Sequence, residues 1–283
     1  MEHKGLVIFF LTWVLSGFAV TAFSQVPKWK QAEIQGDTLY KRQEFKDAIR
    51  SYTRAIELNQ TKDKDSYRTV YKRAICYYSI GDYKNALKDV ETFEPQFPNV
   101  PQAKILKSFL YRELGDDEKQ LESLEAAMEL QPPDAELLKW RGLLYLQKDN
   151  YVKTKADMLL ARQLQDDSEI ETYLGMSYYN LDQHDSAFVS FNKAIELDAT
   201  YAPSYLYASS MALEEGNFKL ALEYASLNLR LDSQSKEALF YKGIALVELD
   251  KKDEGCRCLN RAFYLGMDEA SGYLTEYCFE VDN

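Results

Sequence analysis

The chain is poor in side chains that act as nucleophiles, acids or bases near neutral pH. It holds two histidines, His3 and His184. His184 occupies a place that recurs along the chain as Phe45, Tyr83, Tyr151 or Phe218, so it reads as a substitute for a packing aromatic. A nucleophile, its base and an orienting group have almost no material to be assembled from. There is no Gly-rich phosphate loop and no H-E-x-x-H pair. Carboxylate pairs such as Glu214–Glu215 and Asp166–Asp167 are plentiful, but they fall at helix ends and turns, where solvation and capping explain them. These patterns predict no enzyme, no cofactor and no metal centre. Of the four cysteines, Cys76 reads as a buried thiol. Cys256 and Cys258 stand two apart on one predicted helix and point to nearly opposite sides. Cys278, on a following helix, can therefore bridge to Cys256 or to Cys258, whereas a metal site finds no His or fourth Cys close by.

The elements that position these residues repeat about every 34 residues. Numbering each unit from 1, the units run 29–62, 67–100, 101–134, 135–167, 168–201, 202–235 and 236–269, with helices near positions 2–14 and 17–30. Position 8 is always small: Gly36, Ala74, Ser108, Gly142, Gly175, Ser209 and Gly243. That is what two closely crossing helix backbones require. Ala recurs at positions 20 and 27, as in Ala48 and Ala55, Ala187 and Ala194. Between the helices lie turns such as Gly81-Asp82 and Gly216-Asn217, where Gly (or Asp in its place) ends one helix in the left-handed region and the next residue caps the following one. The four-residue insertion Asp63–Ser66 lengthens a loop or a helix end, and residues 270–283 form a C-terminal capping helix over the last apolar face.

The small position 8, Tyr at position 11 (Tyr77, Tyr111, Tyr145, Tyr178), Ala at 20 and 27 and Pro98 and Pro132 at 32 together resemble the tetratricopeptide repeat family. The departures are Ala212 at position 11, Gln120 and Thr154 at 20, and Phe93 and Asn228 at 27, which predict locally altered packing. The resemblance implies an all-α, right-handed superhelical solenoid of about seven helix-turn-helix repeats. It also implies a concave groove lined by the first helices. In this chain that groove takes Tyr71, Ile75, Tyr78, Ile105, Phe109, Lys139, Leu143, Met176 and Tyr179 as its partner-binding residues. The family's Lys and Asn clamp for a peptide carboxylate is absent, since Glu33 and Asp37 stand at those places in the first unit.

The N-terminus departs from the repeat. A charged start, the apolar run Gly5–Val20 and Ala22-Phe23-Ser24 before Gln25 predict a secretory signal peptide over residues 1–24; left uncleaved, it would be the chain's only membrane contact. The expected location is the periplasm or cell envelope. With 34 Lys and Arg against 45 Asp and Glu the chain carries −11, with its cations scattered among the acids, which disfavours nucleic acid and favours basic partners. The sequence thus predicts a non-catalytic protein-interaction scaffold of the cell envelope. The rival reading is an outer-membrane-associated capture protein for glycan or a small ligand.

Overall fold

A computed structural model of the chain describes residues 26–59, 61 and 63–279. The expected signal peptide, 1–24, and the last residues of the expected cap lie outside the described residues. All regular structure among the described residues is helical. The chain divides between Leu114 and Gly115 into two compact units, so the division falls inside the third repeat.

The first unit holds α1 (Lys28–Lys41), α2 (Phe45–Leu58), α3 (Lys64–Ser79), α4 (Tyr83–Phe93) and α5 (Pro101–Leu114). Each helix packs on the next, and α3 also touches α5. The insertion at Asp63–Ser66 becomes the first turn of α3, with Asp63 accepting a hydrogen bond from the Ser66 N–H at 3.0 Å. Position 8 is small for the expected reason: a Cβ added to Gly36 would stand 2.5 Å from the ring of Tyr52. Phe93, where other repeats have Ala, lies between the rings of Tyr71 and Phe97, with centroids at 4.6 and 4.7 Å. The larger side chain packs between those rings, and α4 ends there, three residues shorter than α2.

The second unit holds α6 (Asp117–Leu130), α7 (Ala135–Gln147), α8 (Tyr151–Leu164), α9 (Ser168–Tyr179), α10 (His184–Leu197), α11 (Ala202–Glu214), α12 (Phe218–Leu231), α13 (Lys236–Glu248), α14 (Lys252–Tyr264) and the short α15 (Ala270–Tyr273). Consecutive helices pack on one another, and α7, α9, α11 and α13 also touch in sequence. The same interlock recurs: Phe191 of α10 fills the space of the missing Cβ at Gly175, and Leu259 of α14 that at Gly243. Thr154, in an Ala position, donates to the Gly142 carbonyl at 3.1 Å, and Ser209 to the Ala221 carbonyl at 3.0 Å. The hydroxyl that replaces a methyl is therefore satisfied across the helix pair. The capping segment is helical over the described residues, α15 passing into a π-helical turn, Leu274–Cys278. Ala270 and Leu274 still cover Leu239, Phe240 and Leu259.

Candidate interaction surface

The first helices carry the residues singled out by the repeat register. In the first unit, Tyr71, Ile75 and Tyr78 lie on α3 and Ile105 and Phe109 on α5, all half-buried. The rings of Tyr78 and Phe109 stack across the two helices at 6.4 Å, and the Arg112 guanidinium sits 5.2 Å above Phe109. Tyr71 is turned into the stack with Phe93, and burial pushes its phenol up to about 12. Beside this stripe, Glu33 accepts from Lys30 at 2.5 Å and Lys72 at 2.8 Å, while Lys72 also reaches Asp37 at 2.9 Å. The Tyr52 hydroxyl donates to Asp37 at 2.8 Å. Burial would raise the Glu33 pKa, but the two lysines outweigh it and hold the carboxyl below its usual range. The acidic pair of the first repeat is thus spent on internal partners. Clefts of about 350 and 310 Å³ lie between α1 and α2, lined by polar groups including Gln35, Arg50 and Arg54.

In the second unit, Leu143, Met176 and Tyr179 are half-buried on α7 and α9. Tyr179 donates to Glu214 and packs edge-on against His184, with ring centroids at 5.1 Å. His184 Nδ1 in turn lies 3.1 Å from Glu215. His184 therefore does take an aromatic's place in the packing, with a carboxylate at its polar edge. Lys139 differs from its expected companions: it is 8% exposed. Its ammonium lies 3.0 Å from Glu136, 3.3 Å from Asp167 and 2.8 Å from Glu169. Burial lowers its pKa, yet these carboxylates more than offset that and hold it above the usual lysine value. The register that suggested Lys139 as a contact could not show Glu136 and Asp167 of its own repeat and Glu169 of the next closing over it.

Two features escaped the sequence reading. One is a repeated ion pair at positions 7 and 23. Arg73 holds both Asp89 oxygens at 2.8 Å, and Arg141 holds those of Asp157 at 2.9 and 2.6 Å. The coincidence of Arg and Asp in register in two repeats was the available signal. The other is the choice between cysteines. The structure joins Cys256 to Cys278, with Cα atoms 5.7 Å apart, and leaves Cys76 and Cys258 as thiols. No group of three or more His, Cys, Asp or Glu among the described residues is placed to hold a metal ion, and no described helix is long and apolar enough to cross a membrane.

Tandem helix hairpins with small residues at the crossings and half-buried stripes on the first helices define a repeat protein of the interaction type. Two tetratricopeptide repeat profiles match residues 35–101 and residues 101–134 and 174–201. The chain is a tetratricopeptide repeat protein. It is 26% identical over 249 residues to a DnaJ homolog subfamily C member 7 homolog from Dictyostelium discoideum, covering 79% of this chain but 44% of that protein's length. Among solved structures it resembles the C-terminal part of a TPR repeat-containing protein from Cytophaga hutchinsonii, with a TM-score of 0.64, 21% identity and coverage of 85% of this chain and 98% of the other. It also resembles YrrB, described as a TPR protein with an unusual peptide-binding site, with a TM-score of 0.53, 17% identity and coverage of 66% and 97%. At such identities these likenesses speak to the fold. That fold is in general a scaffold for protein–protein contacts.

Proposed function

We propose that this protein is a non-catalytic scaffold of the cell envelope that holds a segment of a partner protein along the face formed by its first helices. The observation that carries this reading is the stripe of half-buried aromatic and aliphatic side chains on consecutive first helices, with Tyr78 and Phe109 stacked across two of them. Apolar side chains left partly open in register, on a rigid helical frame, bury more area when a partner arrives and cost little ordering. The peptide-binding description of YrrB supports the reading by analogy of fold. Export rests on the apolar run and small residues before Gln25, and the Cys256–Cys278 bridge supports an oxidising compartment.

The test is affinity capture from an envelope extract with the protein beside a double variant, Phe109→Glu with Leu143→Glu, one substitution in each unit. A protein retained by the parent and lost by the variant, with helical content unchanged by circular dichroism, is the expected result. Retention of polysaccharide in place of protein would move the reading to glycan capture. Loss of helical content in the variant would make the two positions core and end the assignment of the face.

A further inference from the structure

The net charge of the chain conceals an uneven division. Residues 1–114 carry 18 Lys and Arg against 13 Asp and Glu, whereas residues 115–283 carry 16 against 32. The second unit is therefore strongly acidic, and its first helices bring aromatic rings into register. Position 6 reads Trp140, Tyr173, Tyr207 and Tyr241 in four consecutive repeats, all half-buried. The helices bearing them touch in sequence. The Tyr173 hydroxyl donates to Glu169 at 2.8 Å. Tyr207 lies within electrostatic reach of Tyr241 and Glu237. The rings thus recur on neighbouring helices, with carboxylates beside Tyr173 and Tyr207. Lys139 is one cation shared among three acids, Glu169 included, and among the described residues Glu237 has no ion-pair partner.

The protein already shows what such a rung receives. Arg141 lies 5.9 Å over the ring of Tyr145 while its Nε and Nη2 both donate to Asp157, and Arg73 sits likewise over Tyr77 with Asp89. A tyrosine face beside a carboxylate is the pairing that a guanidinium or ammonium satisfies at once, by ring quadrupole and by charge. We propose that the first-helix face of the second unit holds an extended, Arg- and Lys-rich segment of a partner protein, its cations lying over Tyr173, Tyr207 and Tyr241 and pairing with Glu169 and Glu237. This rests on the scaffold reading and adds the chemistry of the partner and the unit that takes it. Burial raises the pKa of the Tyr173 and Tyr207 phenols, so those two rings remain neutral faces beside the carboxylates.

The experiment is fluorescence anisotropy of the full chain with a labelled peptide of five Arg-Ala-Pro triplets, and with its counterpart in which every Arg is Glu. The Arg peptide binds, the Glu peptide does not, and binding weakens with salt. Tyr207→Ala with Tyr241→Ala weakens it about tenfold, as the loss of two cation–ring contacts requires. Because those rings also pack, Glu237→Gln serves as a variant that disturbs no packing, and it weakens binding a few-fold. Glu223→Gln on α12 removes as much charge elsewhere and leaves binding unchanged. Equal weakening by that control would show attraction to bulk charge alone and overturn the proposal. So would undiminished binding by the folded tyrosine variant, or a neutral dextran bound through the same tyrosines when the Arg peptide is not. If the Phe109 and Leu143 variant still loses a captured partner while the Arg peptide fails to bind, the scaffold reading stands and this inference falls.

Discussion

Single residues in this protein are explained by small backbone and desolvation energies. Each hairpin turns on one residue of positive φ: Gly81 at 78°, Gly216 at 72°, but Gln43 at 62° and Asp149 at 53°. A Cβ added at Gly81 meets nothing within 4 Å, so Gly81→Ala isolates the cost of the left-handed conformation, about 1 kcal/mol. Gln43→Gly should stabilise by a similar amount or somewhat less, both read from denaturant midpoints. Glu171 is a different case, because it is 3% exposed and one of its oxygens has no hydrogen-bond partner. Loss of water raises its pKa, and Arg162 at 3.8 Å, Lys193 and Ser190 do not offset this. The folded chain therefore binds this proton more tightly than the unfolded one. The stability it contributes is fully present below the ordinary value of 4.5 and is lost as pH rises through the elevated folded pKa. Glu171→Gln should melt a few degrees higher than the parent at pH 7 and level with it near pH 4.

At the scale of the element, helix pairs hold because a side chain of the second helix fills the gap left by a small residue of the first. Gly175 illustrates it: a Cβ there would stand 2.7 Å from Phe191, so Gly175→Ala should cost about 1–3 kcal/mol where Gly81→Ala costs less. The size of position 8 was legible in the sequence, whereas its partner at position 24 varies as Tyr52, Met158, Phe191 and Leu259 and advertises nothing by type. The last pair depends on its cap. Cys256–Cys278 closes a loop of 22 residues and ties the π-helical turn to α14. Cys278→Ser should lower stability by about 3 kcal/mol on the loop-entropy account, measured by chemical denaturation under oxidising conditions. Cys258→Ser should leave the midpoint unchanged, since that thiol joins no bridge.

For the molecule as a whole, contacts run between neighbouring helices within each unit, so stability is local and summed over neighbours. Gly36→Val, which drives a side chain into Tyr52, should speed amide exchange across residues 28–58. It should leave protection at residues 236–264 unaltered, as read by hydrogen-exchange mass spectrometry. A uniform loss of protection would show that the two units open together.

Repeat number, helix identity, hairpin turns and the small crossing residues were all legible in the sequence, because a 34-residue period forces each to recur at a fixed offset and seven copies expose the rule. What the period cannot carry is the meeting of different repeats. The pairing of Lys139 with Glu169 of the next repeat and the bridging of Cys278 to Cys256 over Cys258 were decided by tertiary structure. The physical reason is that such contacts depend on which side chains face each other across a helix pair, and on how much water they lose there. Neither is a property of one residue's place in its own repeat.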